Sequence, residues 1–358
     1  MKTQNKNFWN LRNLILVLGF VIQNSSLLAQ SSSQAFEFER AMRMMFYNCE
    51  NLFDTENDSL TKDDDFTPEG NYRWSYDKYN KKLQSISKVV MGIGDWELPE
   101  IIGICEIENR KVLEDLTQKT PLYKGNYRIV HFSSPDARGI DVACLFREDK
   151  LKFISSKPIR ITFPFNTLRK TRDILYVQLS DNKIDTLHIF INHFPSRLGG
   201  QMASESNRLY VAQMLRNEID TLQKYYTNPK IIITGDFNDY PSDKSLKNIL
   251  QAHLSFDTIQ TRNLYNLAYP ISQYHKLGSH KHETAWGFLD QFIVSGALIN
   301  STSGIYLTSQ SMYLYDNEML LEPDEKNVGY RNNRTYIGMQ YHGGYGDHLP
   351  IFIDFQRR

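Results

Sequence analysis

The strongest constraint on the fold is a series of short apolar, β-rich runs, several of which end in polar or ionisable residues: MMFYNCENLF (44–53), IIGICEI (101–107), DVACLFR (141–147), ILYVQLS (174–180), DTLHIFINHF (185–194), KIIITGDF (230–237), FLDQFIVS (288–295) and LPIFIDF (349–355). Runs of this length and β-branched content read as strands. Amphipathic segments are interspersed: residues 76–91 carry Leu83, Ile86 and Val90 on one side, 110–117 form a short helix, and 204–225 carry a stripe of Leu209, Ala212, Met214, Leu215 and Ile219. YRIVHF and DVACLFR flank the turn SSPDARG, and a hairpin is expected across Asp181-Asn182. Many buried strands and few helices imply two packed sheets flanked by helices in one domain. Neither an internal repeat nor an inter-domain linker is visible in the sequence.

The 358 residues hold 41 Lys plus Arg against 41 Asp plus Glu, so attraction to a polyanion must come from a local basic patch. At the amino terminus, Lys2, Lys6 and Arg12 precede the apolar run 14–22, and small and polar residues follow around Ala29. This pattern predicts a signal peptide over 1–29 and a mature domain over 30–358. The run is short for a membrane span, so no stable membrane insertion is expected after cleavage, and the protein is expected to be exported to a periplasmic or extracellular space. Cys49, Cys105 and Cys144 are an odd number in apolar contexts, which predicts buried free thiols. The acidic stretch TKDDDFTPEGNYRW lacks the ligand spacing of a calcium loop and reads as a solvated loop. SHKHETAW, with His280 and His282, reads as a loop bordering the active site.

Polar residues cluster at strand ends: Asn48, Glu106, His193, Asp236 with Asn238, Asp290, and the pair Asp347-His348. Neighbours inside a strand face opposite ways, whereas a turn ahead of the strand 351–355 can aim both Asp347 and His348 at one point. Each residue alone is explained as a cap or turn residue. Together they supply the carboxylate and amide oxygens that a hard cation such as Mg²⁺ or Mn²⁺ takes as ligands.

The ordered series CEIEN, NHFPSR, GDFND and GDHLP resembles the endonuclease/exonuclease/phosphatase superfamily (DNase I-like) over nearly the whole mature chain, and NHFPSRLGG with GGYGDHLP resembles its exported nuclease-like branch. The resemblance implies an α/β (α+β) four-layer sandwich, two mainly antiparallel sheets face to face with helices outside. It further implies a metal held by Glu106, with Asn48 and Asp347 near the same ion. Asp236 would orient or activate the attacking water and Asn238 would hold the phosphate. His348, positioned by Asp290, would stabilise the phosphorus centre or shuttle a proton. His193 would protonate the leaving oxygen, with Asp141 as its partner. Arg138, standing where many relatives carry a tyrosine, and Arg197 are candidate phosphate contacts.

The expected activity is that of an exported, Mg²⁺- or Mn²⁺-dependent phosphoesterase that cleaves phosphodiester bonds, with nucleic acid as substrate. A phosphatase or phospholipase-like enzyme of sphingomyelinase or inositol phosphatase type is the alternative; FPFNTL (163–168) is the one short apolar candidate for a membrane-facing loop, and a buried hairpin end explains it equally. A catalytically silent binding protein is a third reading, against which stands the retention of both Glu106 and His348.

Overall fold

The computed structural model describes residues 40–181 and 185–358; the expected leader over 1–29 and Asn182 of the expected hairpin turn lie outside the described residues. Arg40–Arg358 holds two seven-stranded sheets. The principal elements are β1 (Met42–Leu52), α1 (Tyr76–Gly94), β2 (Ile101–Ile107), α2 (Arg110–Gln118), β3 (Tyr127–His131), β4 (Asp141–Arg147), β5 (Lys152–Ile159), β6 (Ile174–Ser180), β7 (Thr186–His193), α3 (Gln201–Tyr225), β8 (Lys230–Asp236), β9 (Asp290–Ser295) and β10 (Ile351–Arg357). The first sheet runs Ile305–Tyr306, β10, β1, β2, β4, β3, with Met312–Leu314 also paired to β10. The second runs β5, β6, β7, β8, β9, Leu264–Asn266, Ala252–His253.

Both sheets are mainly antiparallel, but each holds one long parallel pair made by a helical crossover, β1 and β2 through α1 and β7 and β8 through α3, and a two-residue parallel contact between Ala252–His253 and Leu264–Asn266 ends the second sheet. A long parallel pair needs a crossover connection, because a tight turn can only reverse the chain. Helix starts are encoded locally. The Ser75 side chain accepts from Lys78 N ahead of α1, and that of Asn109 accepts from Val112 N ahead of α2.

Alternation along the strands sorts residues between layers. On β7, Leu187, Ile189 and Ile191 belong to the main core cluster, which also holds residues of β1, β2 and α1, while Phe190 packs with Val211, Leu215 and Ile219 of α3. The two sheets approach closely at Gly103 of β2. A Cβ there would stand 3.1 Å from Phe46, 3.3 Å from Ile191 and 3.5 Å from the Thr234 methyl, which are contacts to both sheets.

The three cysteines are buried and free, as their contexts predicted. The TKDDDF loop differs from a merely solvated one: Phe66 stacks on Phe53 at 4.3 Å and Trp74 is wholly buried, because aromatic burial outweighs the exposure of the neighbouring aspartates. In FPFNTL, Phe163 is buried whereas Phe165 and Leu168 are exposed. Among the described residues no helix is long and apolar enough to cross a membrane.

Gly103→Val is expected to force the sheets apart locally and to lower unfolding free energy by about 1–3 kcal/mol. Urea denaturation should show a lower midpoint at unchanged slope.

Candidate active site

The inward-facing rows of both sheets end in polar residues at one rim. Two positions beyond Ile191 on β7 is His193; two beyond Thr234 on β8 is Asp236; two before Phe292 on β9 is Asp290. Strand register sets these three side by side, His193 opposite Asp236 and Asp236 opposite Asp290. On β1, Asn48 lies two beyond Phe46, and its Nδ2 donates to Asp236 Oδ2 at 3.1 Å, joining the sheets. The rim is the carboxyl end of both long parallel pairs, the usual location of ligand sites in open α/β sheets.

Backbone irregularities aim the remaining groups. Register slips in β1 between Asn48 and Leu52, and in β2 between Cys105 and Ile107. Glu50, Asn51, Glu106 and Asn238 all adopt positive φ, at 48°, 61°, 58° and 50°. Asparagine tolerates this region, but for the two glutamates it costs about 1–3 kcal/mol each and persists only where surrounding contacts impose it. Asn51 N donates to Glu106 Oε2 at 3.0 Å, while Glu106 Oε1 stands 3.8 Å from His193 Nε2, outside hydrogen-bonding range. Asn238 N donates to Asp236 Oδ1 at 2.9 Å, and its side-chain amide donates to Phe194 O at 3.1 Å.

His348 approaches from the turn before β10. Its Nδ1 lies 2.6 Å from Asp290 Oδ2 and its Nε2 lies 3.8 Å from Asp236 Oδ2. Burial alone would favour the neutral imidazole, but Asp290 and Asp236 override it and hold the pKa well above the usual value. His193 moves the other way: burial, reinforced by the positive charges of Arg172, Arg138 and His348, holds it well below the usual value. Burial pushes Asp236 up to about 7, a rise opposed by His348 and increased by Asp290. Two imidazoles of opposite protonation and a carboxyl group poised near neutrality therefore meet within one cluster, a pattern typical of acid–base sites.

Not every expected residue sits as anticipated. Asp141 does not partner His193: it accepts from Ser134 N at 2.8 Å and faces His131 Nε2 at 2.9 Å, because the turn before β4 folds back on it. His193 Nδ1 is buried without a hydrogen-bond partner. Arg197 is consumed by structure rather than directed at a phosphate; its guanidinium reaches Asn238 O at 2.6 Å, Asp239 at 3.1 Å and Asp243 at 2.7 Å. It thereby fixes the loop that presents Asn238. Arg138 does reach the cluster, hydrogen-bonding the Asn51 side chain and standing 3.5 Å from Glu106 Oε2.

Asp347 converges with His348 and His280, their ligand atoms lying within 4.8 Å of one another, and it also accepts from Arg334 Nη2 at 2.8 Å. Burial opposes its ionisation, yet His348 and Arg334 hold it down to about 2. Among the described residues, the carboxylate and imidazole groups close enough to share an ion are His280, Asp347 and His348, and Asp236, Asp290 and His348; Glu106 belongs to neither set. Glu106 Oε1, 3.8 Å from His193 Nε2, and Asn48 Oδ1, which also accepts from Glu50 N at 3.0 Å, are oxygens of the kind a hard cation takes.

Arg334 also donates to Glu50 Oε1 at 3.0 Å, and Glu50 lies 3.8 Å from the buried Lys82 ammonium, so an ionic chain links α1, β1 and the turn before β10. Glu50 follows the recognised Asn48 by two positions, which is its only sequence signal. Arg334 and Lys82 have none, being single charges in a long loop and on a helix. His280 stacks near His348 at 4.7 Å, bridged to it by backbone, so the SHKHETAW stretch does border the cluster.

Asp290→Asn should lower the titration midpoint of His348, because it deletes the closest carboxylate. Histidine NMR titration against pH reads this directly, and an unchanged midpoint would refute Asp290 as the cause.

The sequence profile described as "Endonuclease/Exonuclease/phosphatase family" matches residues 43–357. Solved structures of the same fold include a humanized zebrafish (D. rerio) TDP2, at 13% identity and TM-score 0.52 over 88% of this chain and 98% of that one. The human Nocturnin catalytic domain aligns at 16% identity and TM-score 0.52 over 88% and 94%. Mannosyl-6-phosphatase Bt3783 of Bacteroides thetaiotaomicron aligns at 15% identity and TM-score 0.53 over 88% and 99%. No curated protein matches the sequence. The two-sheet sandwich, its polar rim and the match along 43–357 make this chain a member of the endonuclease/exonuclease/phosphatase family of hydrolases.

Proposed function

We propose that this protein is a divalent-metal-dependent phosphodiesterase that hydrolyses nucleic acid after export from the cytoplasm. The observation that carries the reading is the Asp290–His348–Asp236 arrangement, in which one imidazole is held cationic 3.8 Å from a carboxyl group poised near neutral pH. Glu106 and Asn48 are the residues that would hold Mg²⁺ or Mn²⁺. Such a cation, when bound, neutralises a phosphate oxygen and the charge that develops in the transition state.

The chain's own groups divide the remaining work. Asp236 orients the attacking water and takes its proton, with Asn48 and Asn238 N–H fixing its two oxygens. A base with a pKa near the working pH is the efficient choice. His348, kept cationic by Asp290, donates a hydrogen bond or a proton from Nε2 to the phosphoryl group or leaving oxygen. His193 enters as a neutral imidazole that hydrogen-bonds the phosphate. In this reading the acid's role falls to His348, whereas the family resemblance gave the leaving-oxygen proton to His193. Arg138, nearly half exposed beside Glu106, is available to a phosphate oxygen.

Nucleic acid is favoured over a lone monoester by what adjoins Asp347. A polar cleft of about 290 Å³ is lined by Lys281, Lys326, Arg331 and Arg334 together with Glu283, Asp324 and Asp347. Lys281, Arg331 and Arg334 are each paired with a carboxylate, so the mixed-charge cleft is suited to a single backbone phosphate rather than to clustered phosphates.

Supercoiled plasmid incubated with the protein and Mg²⁺ should be nicked, chelator should abolish nicking, and His348→Ala should reduce the rate by roughly 10²–10⁴-fold. Intact plasmid with folded, metal-supplied protein would overturn the nuclease reading and turn attention to phosphomonoesters.

A further inference from the structure

Beside the catalytic cluster lies a second cavity, of about 240 Å³, in which four aromatic residues, Phe66, Tyr72, Trp74 and Tyr336, stand beside the polar Glu50, Asn51, Arg334 and Thr335. The rings touch in series, with centroids 4.8 Å apart for Phe66 and Tyr72, 4.6 Å for Tyr72 and Tyr336, and 6.1 Å for Trp74 and Tyr336. They come from two distant stretches, the loop after β1 and the hairpin Tyr336–Ile337 with Gln340–Tyr341. The Tyr336 hydroxyl donates to Tyr72 O at 2.8 Å, pinning one stretch to the other.

Two lining residues join this cavity to the chemistry. Asn51 donates its N–H to Glu106, and Arg334 holds Asp347. Arg334 and Gly338 also line the polar cleft, so the aromatic cavity and the cleft meet at these two residues. The one carboxylate in the lining, Glu50, is committed to Arg334 and to Thr335 N at 2.7 Å. Asn51 Oδ1 accepts from Arg138 and Thr335 Oγ1 from Lys82 at 2.6 Å, so these polar groups are engaged within the protein, whereas recognition of sugar hydroxyls needs several open polar partners. Ring faces and a guanidinium plane instead match a flat heteroaromatic group. Drug-sized ligands occupy pockets of about 300–1,000 Å³, so this cavity holds a single ring system rather than a chain.

We propose that the aromatic cavity is a nucleobase subsite, in which the base of the nucleotide next to the scissile phosphate stacks against Tyr72 and Tyr336 while the next phosphate enters the polar cleft at Arg334. The inference rests on the phosphodiesterase reading above and adds to it a preference for base-bearing substrates. Stacking is tolerant of base identity, so the preference is for a base over none rather than for one sequence.

The test compares two p-nitrophenyl phosphodiesters with the same leaving group, one of thymidine 5′-phosphate and one of the corresponding base-free deoxyribose 5-phosphate, using the full chain with Mg²⁺. The thymidine ester should show at least a tenfold higher kcat/KM. Tyr336→Ala should remove that difference, and Tyr336→Phe, which keeps the ring, should retain it. Equal kcat/KM for the two esters in the wild-type protein would overturn the subsite and leave the phosphodiesterase reading standing. Hydrolysis of neither ester would instead count against the phosphodiesterase reading, and calorimetric titration with AMP and ribose 5-phosphate then decides the subsite without turnover. Tenfold tighter AMP supports it, and equal binding overturns it. Mannose 6-phosphate binding more tightly than AMP would assign the cavity to a sugar ring and likewise overturn the proposal.

Discussion

The 2.6 Å contact between His348 Nδ1 and Asp290 Oδ2 joins the turn before β10 in one sheet to the start of β9 in the other. Both partners are buried, and Asp290 Oδ1 has no hydrogen-bond partner. Ionised groups in such a place are costly unless they neutralise one another, and removing one partner of a buried pair typically costs about 3–5 kcal/mol. The contact thus serves architecture and electrostatics at once. It closes the rim of the sandwich, and it sets the protonation of the imidazole that faces Asp236.

The geometry of the rim follows from a simple rule applied several times. Strands that alternate inward and outward present every second residue to the space between the sheets, and at the carboxyl ends of the long parallel pairs the inward rows end in Asn48, His193 and Asp236. Asn48, His193 and Asp236 extend rows that begin with core residues, whereas Glu106 needs a bulge and a left-handed backbone to join them. The cost of that conformation is offset locally by the Asn51 N–H and by the paired charges around Glu50. Strain and a buried ionic chain therefore occur where the fold must depart from strand regularity to bring two sheets' residues to one point.

Much of this was legible in the sequence. Strands such as 230–236 and 290–295 and the helix 201–225 follow from their periodicity, and the four-layer sandwich follows from the number of strands and the order of motifs. Asn48, Asp236, Asp290 and His348 were recognisable as polar residues at strand ends, and the family resemblance supplied the roles expected of them. Partnerships across long loops were not. Asp141 faces His131 rather than His193, and Arg197 serves Asp239 and Asp243, because these pairings depend on how loops close, which no local pattern records. Arg334 was invisible for the same reason: its significance lies wholly in meeting Glu50 and Asp347, residues 284 and 13 positions away. The aromatic lining was masked by the acidic residues beside it, which make 61–74 look like a solvated loop.

Everything in the proposed chemistry depends on Glu106 being the residue that holds the cation at this rim. Manganese binding, followed by loss of the free Mn²⁺ electron paramagnetic resonance signal, measures that directly in the wild-type protein and in Glu106→Gln, with circular dichroism verifying that both are folded. The wild type should bind Mn²⁺, and Glu106→Gln should weaken binding by at least tenfold. Undiminished Mn²⁺ affinity in a folded Glu106→Gln protein would contradict the assignment and move the metal to the Asp347, His280 and His348 side of the rim.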